Sequence, residues 1–153
     1  MNAMKTFVLT LFVILGVAVG AVAKEPAPEI MGIRLGMTRD SAHARLQSLG
    51  SLEKEERKRQ EVWAIKDRRV SHLLIGFDKE FRVRYVTAIA RPGGEHIRYQ
   101  EVADLERAKR TNTQGNYKFT WVVSAHGGEP GYVVMAHGRD PKYLETYSVK
   151  RVE

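Results

Sequence analysis

The sequence predicts an α+β domain: an antiparallel meander of about six strands with two short helices packed on one face. Three observations carry this. Six runs alternate apolar and polar residues with period two, at 61–66, 70–78, 81–91, 118–125, 131–139 and 145–151. Two segments, 39–49 and 99–109, place apolar residues at helical spacing. Arg91-Pro92-Gly93-Gly94 then breaks the chain so that each side holds one helix and three strands.

The elements follow in order. Residues 1–23 carry one charge, Lys5, then an apolar run from Thr6 to Val22 and a small-x-small end, Ala21-Val22-Ala23. This is the layout of a secretory signal peptide, cleaved after Ala23. The alternative is a retained membrane anchor, for which the run is slightly short. Cleavage leaves 24 basic against 18 acidic residues, a net charge of +6. Lys24–Glu29, rich in proline and charge, reads as a short tether. The domain proper spans 30–153, with halves 30–92 and 95–153.

Ile30–Leu35 reads as a short edge strand, and Gly36 permits a turn. Thr38 is a good N-cap for helix 39–49, and Asp40 suits its dipole. Ala42, Leu46 and Leu49 form its apolar face, and Gly50 is expected in the left-handed conformation just after it. Ser51–Gln60 is a charge run. Glu53/Arg57 and Glu55/Arg59 have the spacing of helical ion pairs, with a solvated loop or an exposed strand as the alternative. Strand 61–66 turns on Trp63 and Ile65, and strand 70–78 on Leu73, Ile75 and Phe77. Strand 81–91 sets Phe81, Val83, Tyr85, Thr87 and Ile89 on one face, with Arg82 and Arg84 opposite.

After the break, Val102, Leu105 and Ala108 mark the second helix, and Thr111–Asn116 is loop. The last three strands follow, with His126–Pro130 joining the first two. Asp140-Pro141 reads as the start of a single helical turn. Trp63 and Trp121 are expected in the core. The order reads as a degenerate repeat of one helix and three strands, against chance similarity of the halves.

The run Gly32-Ile33-Arg34-Leu35-Gly36-Met37-Thr38, followed by a helix ending Leu49-Gly50, resembles the small envelope domains of the outer-membrane assembly factor E (SmpA/OmlA) kind. Those share a helix-plus-antiparallel-sheet fold with the tandem-repeat β-lactamase inhibitor proteins. The resemblance covers about residues 30–91 and implies a periplasmic protein-binding module without catalytic residues. Two departures limit it. The chain has no cysteine, so neither the lipid anchor of the first group nor the disulfides of the second carry over.

Chemistry-bearing patterns are sparse. The five histidines are scattered singly, without metal-ligand spacing. No serine lies in a nucleophile-elbow or S-x-x-K context, and no phosphate loop is present. The expectation is therefore no catalytic residue, no metal and no cofactor. The remaining lead is basic. Arg68, Arg69, Arg82, Arg84 and Arg91 could combine across the meander into one cationic face.

Three functions follow as expectations. The first is an exported, non-enzymatic interaction module of the bacterial envelope, periplasmic or secreted, that binds a protein partner through the open face or edge of its sheet. The second is a peripheral binder of anionic membrane surface (lipid headgroups or lipopolysaccharide) through the arginines. The third is a hydrolase with a non-local site. Export excludes nucleic acid as a partner.

Overall fold

The structure is a computed structural model and describes residues 23–153. The signal peptide or anchor read at the N-terminus lies outside them, Ala23 excepted. None of the described helices is long and apolar enough to cross a membrane.

The fold is predominantly β and corrects the α+β expectation of two helices on six strands. The described residues form ten strands, and only one helix runs beyond a single turn. Glu29–Ile30 (β1) and Ile33–Arg34 (β2) make a small hairpin. Helix α1 covers Arg39–Leu49. Four strands then meander: Gly50–Glu56 (β3), Gln60–Ile65 (β4), Val70–Phe77 (β5) and Val83–Ala90 (β6). A single turn, Tyr99–Val102 (α2), and a 3-10 turn at Leu105–Arg107 lead into a second meander. Its strands are Lys109–Thr113 (β7), Asn116–Val123 (β8), Tyr132–Gly138 (β9) and Thr146–Arg151 (β10). Strands β6 and β10 pair antiparallel, so all eight join one sheet in the order β3-β4-β5-β6-β10-β9-β8-β7. The unit of one helix and three strands does not exist: each half has four strands.

The two strands outside the six expected, β3, for which an exposed strand is one reading of 51–60, and β7, are the two edges of the sheet. Every residue of β7 is exposed, and β3 is exposed or half-buried throughout. An edge strand with both faces wet needs no apolar alternation, and charge on it discourages pairing with other chains. The ion-pair spacing of 51–60 is thus not helical.

The second helix stops after one turn because tertiary hydrogen bonds claim its backbone. Ala103 is extended. The Asp104 N–H donates to the Lys24 carbonyl (3.0 Å), and its own carbonyl accepts from Trp121 Nε1 (2.7 Å). The Asp104 carboxylate also caps the next turn through the Glu106 N–H (3.0 Å). At Asp140 no helix begins. Its carboxylate accepts from the Lys142 and Tyr143 N–H groups and holds a bend.

Thr38 caps α1 as its sequence demands, with its hydroxyl accepting from the Ser41 N–H (3.3 Å). Gly50 is extended (φ −179°), not left-handed. Glycine is needed there for another reason: a Cβ would lie 1.8 Å from the Ala64 carbonyl oxygen on β4. The Lys24–Glu29 segment is no free tether. Pro26 is buried, its carbonyl accepts from the Tyr132 hydroxyl (2.6 Å), and Leu35 N–H donates to Pro28 (3.0 Å).

The core lies between one sheet face and the elements over it. Ala42 and Leu46 of α1 pack toward Trp63, Ile65, Leu73, Ile75 and Val86. In the second half Tyr99 packs tilted against Phe119 (4.5 Å) and Phe119 stacks on Trp121 (6.3 Å). Both tryptophans are buried.

Candidate interaction surface

The five arginines do not form one face. In β6 the register jumps between Gly76–Tyr85 and Phe77–Val83, so Arg84 is the extra residue of a bulge. The bulge turns Val83 inward while Tyr85, Thr87 and Ile89 face outward. The single apolar stripe read along 81–89 is therefore split between faces. Arg82 precedes the strand and donates to the Gly36 carbonyl (3.1 Å). Arg84 pairs with Glu153 (2.7 Å).

Arg68, Arg69 and Arg91 lie at the other end of β6, an eight-residue strand about 26 Å long. Arg91 is spent on the carbonyls of Asp67, Ile65 and Val70, which it ties together from inside the β4–β5 loop. Arg69 pairs with Glu101 and donates to the His96 carbonyl. Arg68 remains largely exposed, with Glu95 at 3.9 Å.

The sequence reading missed a buried carboxylate. Glu61 on β4 is fully buried between β3 and β5 on the helix-bearing face. Arg39 Nε and Nη2 donate to it at 2.9 and 2.6 Å, and Trp63 Nε1 at 2.9 Å. His43 Nε2 lies 2.9 and 2.8 Å from its two oxygens. An ionised carboxylate only accepts, so His43 carries its proton on Nε2. Burial by itself pushes the Glu61 pKa up. The hydrogen bonds from Trp63, Arg39 and His43 outweigh it and hold the group below its ordinary value. The signal was present: Glu61 shares parity with Trp63 and Ile65, and Arg39 and His43 stand four apart on α1.

A second cluster has the residue types of a nucleophilic triad. Ser71 Oγ is 3.0 Å from His72 Nδ1, and His72 Nε2 is 3.0 Å from Glu53. Ser71 is buried within the ladder and its hydroxyl donates to the Ile89 carbonyl (3.3 Å). This serves the β5 bulge between Val70 and His72, not an exposed nucleophile. Among the described residues no group of three histidines, aspartates and glutamates is placed to hold a metal.

The largest continuous feature is the sheet face opposite α1. Strand registers place three rows across it. One runs Val62, Leu74, Thr87, Ser148, Met135, Thr120. Another runs Ala64, His72, Ile89, Thr146, His137, Lys118. The third runs Gln60, Gly76, Tyr85, Lys150, Val133, Val122. The face is eight strands wide, about 34 Å. Apolar side chains on it are interleaved with polar ones, with Thr87, Thr146, Ser148 and Lys150 on the two middle strands; most are half-buried, and Val122 is 70% exposed. No described helix covers it. No protein-family model, curated protein or solved structure matches the chain.

Proposed function

We propose that this chain is an exported, non-enzymatic protein-interaction module of the cell envelope that docks a partner on the helix-free face of its sheet. One observation carries the reading: a face eight strands wide keeps Val62, Leu74, Ile89, Val133, Met135 and Val122 on its outer side with no element of the fold over them. Apolar side chains interleaved with polar ones on an uncovered sheet face suit a protein-binding surface. Flat sheet faces offer rigid, preformed contact area, so little ordering entropy opposes binding. The resemblance over residues 30–91 to envelope binding modules supports the same reading, as does the apolar N-terminal run. The arginines assigned to a cationic sheet face are largely engaged within the molecule, so the protein-binding reading is preferred over the anionic-surface one.

The test is site-specific photocrosslinking in cells. Probes at Leu74 and Met135 on the open face are expected to trap one discrete protein. Probes at Asp40 and Ser48 on α1 are not. Met135→Asp is expected to abolish the adduct at Leu74 while leaving the melting temperature nearly unchanged. Equal adducts from both faces, or none from the open face, would refute the proposal. N-terminal sequencing of the purified protein is expected to begin at Lys24.

A further inference from the structure

One group of arginines without close carboxylate partners lies away from those the sequence singled out. At one end of the sheet, the N-terminal segment, the β1–β2 hairpin, the 3-10 turn, the β8–β9 connection and the end of β10 enclose a cleft of about 820 Å³. Its cations are Arg34, Arg107 and Arg151, with His126 at the β8–β9 tip. Its acids are Glu25 and Glu129. Among the described residues, neither Arg107 nor Arg151 has a carboxylate within ion-pair distance. Arg34 has only Glu29, at 3.9 Å, with both side chains about half exposed.

Arg151 pairs with Tyr132 across the β10–β9 ladder. It therefore leaves the sheet on the side where the Tyr132 hydroxyl meets Pro26, under the N-terminal segment. Three arginines thus line one volume from β2, the 3-10 turn and β10. Like charges so placed repel, and the fold gains no internal ion pair from Arg107 or Arg151. An anion in the cleft offsets that repulsion.

We propose that this cleft binds a phosphate group, carried by a soluble molecule or by a lipid headgroup. Guanidinium forks match phosphate oxygens bidentately. Donors from three directions suit a tetrahedral anion better than a planar carboxylate. The lining sets three arginines against two acids, and Glu29 lies 3.9 Å from Arg34, so the cleft suits one small anionic group and not an extended polyanion. The volume lies in the range of ligand sites, and the net +6 of the chain from Lys24 onward draws anions to it.

The experiment uses two probes on the purified protein at physiological ionic strength: inorganic pyrophosphate by calorimetry, and flotation with phosphatidylcholine vesicles with or without phosphatidylglycerol. Arg107→Gln and Arg151→Gln are each expected to weaken binding about tenfold, the loss of one charge-assisted hydrogen-bond set. Arg68→Gln removes a largely exposed arginine outside the cleft and is expected to change affinity less than about twofold. Arg151→Lys keeps the charge and loses the fork, and is expected to fall between. Cleft-dependent pyrophosphate binding supports a soluble phosphate compound. Cleft-dependent flotation, only with phosphatidylglycerol, supports a headgroup. Binding of neither probe, or an Arg68→Gln loss equal to that of the cleft variants, overturns the proposal.

Discussion

The two halves of the sheet close the same kind of core by different means. The β3–β6 half lies under α1, an amphipathic helix that brings Arg39 and His43 down onto a buried carboxylate. The β7–β10 half has only single turns over it. Large aromatics fill the space instead: Tyr99, Phe119 and Trp121 pack ring against ring in series. Two of them spend their polar atoms on loop carbonyls, Tyr99 on Asp140 (3.0 Å) and Trp121 on Asp104 (2.7 Å). A helix is therefore one solution to covering a sheet face. Aromatic bulk anchored by side chain-to-backbone hydrogen bonds is another, and it leaves the covering backbone free to be irregular because its carbonyls are satisfied.

The largest effect that tests this contrast comes from the aromatic half. Trp121→Ala removes a buried indole and orphans the Asp104 carbonyl. The expected loss is about 4 kcal/mol in urea unfolding. A loss under about 1 kcal/mol would mean that the stack is not what holds β7–β10. In the helical half, Arg39→Ala strips two donors from buried Glu61. Breaking a buried pair costs about 3–5 kcal/mol when both partners are buried. Arg39 is 27% exposed at the side chain, so about 2 kcal/mol is expected. Arg39→Lys should recover only part of this, because an ammonium cannot reproduce the forked contact.

One buried group in each half should report on opposite ends of the pH scale. Glu61 has a folded pKa below its ordinary 4.5. Its contribution is complete above the unfolded value and is lost as pH falls through the folded one. Tyr99 is the converse. Burial first, then the charges of Asp140 and Glu145, push its hydroxyl from 10.0 up to about 12. Its contribution is complete below 10 and is lost between there and about 12. Urea midpoints measured against pH are expected to show Glu61→Gln flattening the acid limb and Tyr99→Phe the alkaline one. If both variants flattened the same limb, the assignment of one titrating group to each half would be wrong.

What the sequence made legible divides along the same line. The six inner strands were visible because each has one face on the core, which forces period two. The edge strands carried no such period because neither face is buried: β3 was readable only as helix, loop or exposed strand, and β7 not at all. The β6 bulge at Arg84 defeated parity: no composition signal marks an extra residue, yet it moves Tyr85, Thr87 and Ile89 to the open face. Helix α1 was readable from Thr38, Asp40 and its apolar face, all local. The end of α2 was not, because Asp104 is drawn away from helix by Lys24 and Trp121, which are distant in sequence. Arginines in a row looked like a surface, although Arg91 is a brace for the β4–β5 loop, while Arg107 and Arg151, which have no carboxylate within ion-pair distance, come together only in the fold.

The smallest expected effect concerns the turn that introduces the helical half's edge. Arg57 and Lys58, at the β3–β4 tip, have φ of 51° and 61°. That region costs a residue with a Cβ about 1 kcal/mol. At the β8–β9 tip the corresponding positive angles, 56° and 81°, fall on Gly127 and Gly128, which adopt them without that penalty. Lys58→Gly is therefore expected to stabilise the protein by about 0.5 kcal/mol, the relieved strain less the added entropy of the unfolded chain. Gly128→Ala should destabilise it by a similar amount, since nothing lies within 4 Å of the new Cβ and only the backbone angle opposes it. Because the two substitutions act on one term with opposite sign, a shift of the same sign in both urea curves would show that the tips differ in more than backbone strain.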